Sequence, residues 1–298
     1  MALGGYMGKL LRVDLNSGRI TEEMLDEGVL RDYVGGMGLG AKYLYDEVDP
    51  QTPWDDPANR LIFASGPLGG TRLDGSGSYS VTSKGPLTDG AGCSQANGYF
   101  GAYLKFCGYD AVIVQGKAKR WLYLSIDDGK AELREAGHLV GKDTWETEAL
   151  IKAELGKKEK QASVFSIGPA GENLVKFAAI VGDKGHVAGH NGLGAVMGAK
   201  KLKAVVAARG HRIPKIAEPE KFRTLAQELF DLRKDDPVIG QRHNLWGTST
   251  LYSITEPLGR LPVRNMTSAI FGQGEKFNGP YYRAHWKIKP NPCWACRN

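Results

Sequence analysis

The stretch "NGYFGAYLKFCGYDAVIVQG" (residues 97–116) resembles "NGLGAVMGAKKLKAVVAARG" (191–210) in the same chain. Each opens on Asn-Gly, runs through helical spacing and closes on a short apolar strand ending in Gly. Ahead of them, "IFASGPLGG" (62–70) resembles "VFSIGPAGE" (164–172), each an apolar strand stopped at Gly-Pro. Self-similarity of this kind marks a duplicated supersecondary unit that buries its apolar face against its twin. The units differ in spacing, so the duplication is loose. It predicts two related halves over residues 1–210 that pack about a pseudo-twofold axis. Such a body offers two similar helix N-termini, each a ready anion site.

Outward from these blocks, "KLLRVDL" and "RITEE" flank the turn Asn16-Ser17-Gly18 as a hairpin. A helical stretch follows, broken near Gly35-Gly36. Strands are expected at "RLIFAS", "SYSVTS", "WLYLSID", "ASVFSIG" and "LVKFAAIVG", with a helix at "TWETEALIKAEL". A boundary falls near Gly210: "HRIPKIAEPE" carries two prolines, and "EKFRTLAQELFDLRKD" then reads as a helix with Pro219 near its first turn. Residues 211–298 hold few strand signals and read as the start of a helical domain. The expected class is α+β: a two-lobed, β-rich domain over 1–210 with a pseudo-twofold internal repeat, then the helical start over 211–298.

Composition excludes several roles. The chain has 298 residues, 42% hydrophobic and 24% charged, as in a globular protein. The net charge is +6, but lysines such as Lys157, Lys158 and Lys160 have no aromatic residues among them. They read as a solvated face and not as a nucleic-acid surface. No run approaches the roughly 18 apolar residues of a membrane span, and "MALGGYMGKLLRVDL" lacks the apolar stretch of a signal peptide. Four cysteines make no disulfide framework, so a reducing cytoplasm is the expected compartment.

Three motifs carry chemistry or its imitation. "NGLGAVMG" places Gly192, Gly194 and Gly198 almost as a dinucleotide fingerprint, but the last spacing is one too long. The following strand ends in Arg209 where an acidic residue belongs, which leaves NADP as a lesser reading beside close helix–sheet packing. In "GDKGHVAGHNG", His186 and His190 precede a helix start. They read as an anion site or as surface histidines, because a zinc pair needs a helix and a third ligand. Cys93 and Cys107 sit among apolar or small residues, as buried thiols do. Cys293 and Cys296 form a C-x-x-C that suits zinc, a redox dithiol or an iron–sulfur cluster. A thioredoxin-like context is missing, so metal is favoured, with two further ligands needed.

Taken together, "GKLLRVDLNSGRI", "LIFASGPLGGT", "GYFGAYLKFCGYDAVIVQGKA", "SIGPAGENLVKFAAI", "GLGAVMGAKKLKAVV", "LPVRNMTSAIF" and "KPNPCWACRN" resemble the aldehyde:ferredoxin oxidoreductase family of tungsten-pterin enzymes. The blocks span essentially the whole chain, and family members are about twice as long. The resemblance implies a tungstopterin-binding N-terminal domain over 1–210. It implies a tungsten bis-pterin cofactor, molybdenum being the less favoured metal, with pterin-holding positions at Gln95, Ala96 and Asn97 in the first half. Their counterparts in the second half are His186, Val187 and Ala188. Carbonyls of Gln95 and Val187 would help hold a Mg2+ that bridges the pterin phosphates. Cys293 and Cys296 would be the first two of the cysteines holding a [4Fe–4S] cluster, the others lying beyond Asn298.

The implied activity is oxidation of an aldehyde to a carboxylic acid, with electrons leaving through the cluster to ferredoxin or an iron–sulfur partner subunit. The alternatives are an aromatic acyl-CoA reductase of the benzoyl-CoA type and a cofactor-binding module without catalysis. Acid/base residues are implied to lie downstream, so no catalytic residue is named. An oligomer is compatible with the resemblance. This chain departs from the family where Ser78, His186 and His190 stand in place of arginines, with Arg72 a substitute in the loop of Ser78.

Overall fold

The structure is a computed structural model that describes residues 3–296. It divides into two compact units: Met1–Ala217 with Cys293–Ala295, and Glu218–Pro292 with Cys296–Asn298.

Unit 1 holds two six-stranded sheets of matching topology. In the first lobe, β1 (Lys9–Asp14) and β2 (Arg19–Met24) form a hairpin. After α1 (Glu27–Tyr33) and α2 (Gly36–Glu47) come β3 (Leu61–Ser65), β4 (Tyr79–Lys84) and β5 (Ala91–Ala96), then α3 (Phe100–Phe106) and β6 (Ala111–Gln115). The second lobe repeats the plan with the hairpin β7 (Leu122–Asp127) and β8 (Lys130–Glu135), and α4 (Thr144–Glu154). It continues through β9 (Ala162–Ser166), α5 (Pro169–Glu172), β10 (Ile180–Gly182), β11 (His186–Ala188), α6 (Leu193–Ala199) and β12 (Leu202–Ala208). The spatial orders are β2-β1-β6-β3-β4-β5 and β8-β7-β12-β9-β10-β11. In both, the hairpin's first strand lies parallel to the strand after the repeat helix, and the remaining pairings are antiparallel. The two similar blocks thus occupy equivalent places, and the duplication extends to the hairpins.

Strand alternation builds the layers. In β3, Leu61 and Phe63 face the space between the sheets, while Ile62 and Ala64 face α2. In β12, Val205 and Ala207 point inward and Ala204 and Val206 outward, after a register shift between Leu202 and Ala204. The repeat helices fill the interior: α3 packs on β9 and β12 of the other lobe, and α6 on β4. Tyr79 and Phe165 meet edge to face across the lobes with centroids 5.0 Å apart. Burying Phe63 or Phe165 stabilises the fold by roughly 2–3 kcal/mol each.

The expected strand "LVKFAAIVG" is shorter than its hydrophobicity suggests, since only Ile180–Gly182 pairs. Its beginning turns back beneath α5 through Leu174, at φ 58°. Gly194 and Gly198 serve close packing, as expected, but against other elements than a sheet. A Cβ on Gly198 would lie 1.9 Å from the Gly171 carbonyl oxygen, and one on Gly194 2.7 Å from that of Ala178. The dinucleotide alternative therefore has no open loop there.

Unit 2 is helical. Its longest element is α7 (Pro219–Lys234), started by Pro219, with shorter helices α8 (His243–Trp246), α9 (Tyr252–Thr255) and α10 (Gly279–His285). Asn278 caps α10 by accepting from the Tyr281 amide at 2.8 Å. No helix among the described residues is long and apolar enough to cross a membrane.

Candidate functional site

Gln95, Ala96, His186, Val187 and Ala188 lie on the edge strands of the two sheets, β5 and β11, Asn97 directly follows β5, and these edges meet. Two bonds tie the junction. The Asn191 amide Nδ2 donates to the Cys93 carbonyl at 2.8 Å, and the His190 backbone N–H donates to Ser94 Oγ at 3.0 Å. Along β5 and the residue after it, Ser94 and Ala96 are buried while Gln95 and Asn97 are exposed. On β11, Val187 is exposed and Ala188 is buried. Each edge therefore shows one polar or accessible side to solvent and pins the other into the body.

His186 is the exception on its strand. Its Nε2 is buried with no hydrogen-bond partner, and its ring lies against Gly98. Burial lowers its pKa from the ordinary imidazole value, against the opposing charge of Glu148, so it is neutral at pH 7. A buried ring nitrogen without a partner costs free energy, and a bound polar group would recover it. His190 is exposed and contributes its backbone instead.

Beside β5 the first lobe opens a cleft of ≈ 570 Å³. Its walls are the α1–α2 junction (Gly35 to Gly38), the loop after β3 (Gly66 to Gly69), the segment Leu73–Ser78, and Ser80 and Gln95. The N-terminus of α2 faces this space, and no side chain caps it. Its N-cap, Gly35, has φ 145°, and a Cβ there would lie 2.9 Å from the Ser65 carbonyl oxygen. Uncapped amides at the start of a twelve-residue helix favour an anion. In the sequence Gly35-Gly36 reads as a helix break, and the glycine-rich run "GGMGLG" opening a helix is the signal for an anion site there.

Ser78, on the cleft wall, donates to Asn97 Oδ1 at 2.5 Å, and Arg72 is exposed in the same loop. The N-terminus of α3 departs from the expected anion site. Its Tyr99 amide donates to the buried Asp183 carboxylate at 2.7 Å, so the protein supplies the anion itself. Cys107 is buried, with its thiol bonded to the Ala208 carbonyl and its pKa pushed up to about 12 by burial. Cys93 is half-buried on the edge strand.

The C-x-x-C enters unit 1 at Cys293–Ala295. Trp294 anchors it: the backbone N–H donates to the Gly98 carbonyl at 2.9 Å, and Nε1 donates to the Thr71 carbonyl at 2.7 Å. The indole meets Phe106 edge to face at 5.0 Å and lies under Arg209 at 5.8 Å. Trp294, Gly98 and Asn97 thus join the cysteine segment to the end of β5. Among the described residues, no group of three or more His, Cys, Asp or Glu side chains is arranged to hold a metal ion.

A sequence model described as the N-terminal domain of aldehyde ferredoxin oxidoreductase matches residues 10–209. The tungsten-containing aldehyde ferredoxin oxidoreductase of Pyrococcus abyssi is 42% identical over 292 residues, covering 98% of this chain and 48% of that protein. The WOR-like subunit of the aliphatic sulfonate oxidoreductase of Pyrococcus furiosus is 36% identical over 274 residues, covering 87% and 43%. Among solved structures, the active-site complex BamBC of benzoyl coenzyme A reductase with 1,5-dienoyl-CoA superposes with a TM-score of 0.83. It is 32% identical, over 98% of this chain and 46% of that one. The chain spans about half the length of the curated relatives it matches. It belongs to the aldehyde ferredoxin oxidoreductase family and corresponds to its N-terminal portion.

Proposed function

We propose that this chain is the cofactor-holding N-terminal part of an oxidoreductase that converts an aldehyde to a carboxylic acid at a tungsten bis-pterin centre. In this reading residues 1–210 are the tungstopterin-binding domain. Residues 211–298 begin a helical domain that carries the first two cluster cysteines. The observation that supports it is the convergence within unit 1 of the β5 and β11 edges, the glycine-walled cleft and the Trp294 anchor.

The residues present fit such a group. The partnerless Nε2 of His186 and the uncapped α2 N-terminus are polar groups awaiting a ligand, and Gly35 leaves its backbone open where a side chain would collide. Gln95, Ala96 and Asn97 would hold one pterin, and His186, Val187 and Ala188 the other. Carbonyls of Gln95 and Val187 would serve a bridging Mg2+. When bound, the cofactor supplies the two-electron redox chemistry by which RCHO + H2O becomes RCOOH + 2H+ + 2e−. The chain's own share is placement. Ser78 orients Asn97, and Trp294 fixes the Cys293 segment beside it. A [4Fe–4S] cluster on Cys293, Cys296 and further cysteines would deliver electrons to ferredoxin or an iron–sulfur subunit.

A second reading, reduction of an aromatic acyl-CoA, is favoured by the likeness to the benzoyl coenzyme A reductase complex. Purified protein of the full length its gene encodes separates the two. Aldehyde-dependent reduction of a viologen dye, with no turnover of an aromatic thioester under a strong reductant, supports the first. The converse supports the second, and neither activity in tungsten-loaded protein leaves a binding module.

A further inference from the structure

We propose that Asp183 is a positioning residue through which the second lobe fixes the Gly98 turn and, through it, the backbone that carries Cys293. This deepens the functional reading above, on which its importance for a cofactor rests, while the contacts stand by themselves. Asp183 lies on the β10–β11 link and is 5% exposed. Its Oδ2 accepts from Ser163 Oγ of its own lobe at 2.8 Å and from the Tyr99 amide of the other lobe at 2.7 Å. Gly98, one residue earlier, has φ 112°, and a Cβ there would lie 2.6 Å from the same oxygen. Glycine is thus what lets the carboxylate approach. The Gly98 carbonyl then accepts from the Trp294 amide at 2.9 Å. A continuous series of bonds runs from β9 through Asp183 and the 98–99 peptide to the residue after Cys293.

The backbone around Asp183 is held at a cost that argues for over-determination. Asp183 and Lys184 both occupy left-handed conformations, φ 46° and 56°, which non-glycine residues adopt rarely. The Lys184 amide is bonded to Glu148 Oε2 at 3.0 Å, which anchors the turn to α4. Burial also pushes the Asp183 carboxyl up to about 6, so the fold retains a poorly solvated acid at this junction. A residue that only glued the lobes together could be apolar. One that must set the direction of a specific amide needs an acceptor with fixed geometry.

Amide hydrogen exchange on the full chain tests this without cofactor or metal, so failure of the cofactor reading would not disturb the result. Asp183→Ala is expected to speed exchange about tenfold or more at Tyr99, which loses its acceptor outright, and at Trp294, whose acceptor, the Gly98 carbonyl, loses the support that holds it in place. Val112 and Val205, in the sheet interiors, should change less than about threefold. Asp183→Asn keeps an acceptor oxygen and should recover at least about half of the lost protection on a logarithmic scale. Should the alanine variant fail to fold, Ser163→Ala, which removes only the orienting hydroxyl, should speed the same two amides by about threefold. An unchanged Trp294 amide overturns the proposal, as does uniform acceleration across both sheets or an asparagine variant as fast as the alanine one.

Discussion

The two lobes share one strand order, and their third and fourth strands are joined by links of matching span, 66–78 and 167–179. The fates of these links differ. In the first lobe the link stays off its repeat helix for part of its length and walls the cleft. In the second it collapses into α5 and closes onto α6. The repeat helices show why. Counted from their Asn-Gly starts, α3 carries Phe100 and Leu104 where α6 carries Gly194 and Gly198. The large side chains are fully buried in the shared core, whereas the glycines admit the backbone of the link. A change of side-chain volume on one helix thus separates a lobe with an open cleft from one that serves as its support.

Each repeat helix also ends at a buried lysine, and their partners differ. Lys105 pairs with Asp110 and donates to the Gly5 carbonyl at 2.9 Å. Among the described residues Lys200 reaches only carbonyl oxygens, of Asn59 at 2.6 Å, Gly116 at 3.2 Å and Pro57 at 3.3 Å. Burial, with repulsion from Arg60 and weak support from Asp56, lowers its pKa to about 7. Between that value and the ordinary lysine range the unfolded chain binds the additional proton. Stability from this group is therefore lowest below pH 7 and rises as pH increases through the window. Denaturant unfolding at pH 6.5 and 9.0 should show wild-type gaining, relative to Lys200→Met, roughly 3 kcal/mol between the two. Parallel pH profiles would mean that Lys200 stays charged on its carbonyl cage.

A smaller effect is expected where the second lobe is closed. Gly198→Ala puts a methyl against the Gly171 carbonyl and should cost about 2 kcal/mol through overpacking. A thermal midpoint within a degree of wild type would show that the link yields, and that helix volume does not decide whether a lobe is open.

Much of this architecture was legible. The paired Asn-Gly and Gly-Pro blocks mark the duplication, and the helix over 219–234 follows from its proline start and spacing. The strands that bear the candidate site were not legible as strands. β5 reads "AGCSQA", small or polar residues of low strand propensity, and β11 is only the three residues "HVA"; both are held because β4 and β10 offer edges to pair with. Their positions came from family resemblance, and Asp183 from neither route. A lone aspartate before a Gly-His pair carries no local signal, and its partner Tyr99 is 84 residues away.

We propose that the meeting of β5 and β11 forms one cradle for a redox cofactor, with the Cys293 segment held beside it. The most direct measurement is metal and pterin analysis, with electron paramagnetic resonance, on protein of the full length its gene encodes, beside its Cys293→Ser variant. Tungsten with pterin and about four iron atoms per chain are expected in the parent. In the variant the reduced-cluster signal should be lost or converted while tungsten stays bound. One equivalent of zinc, with no reducible iron and no pterin, would contradict it.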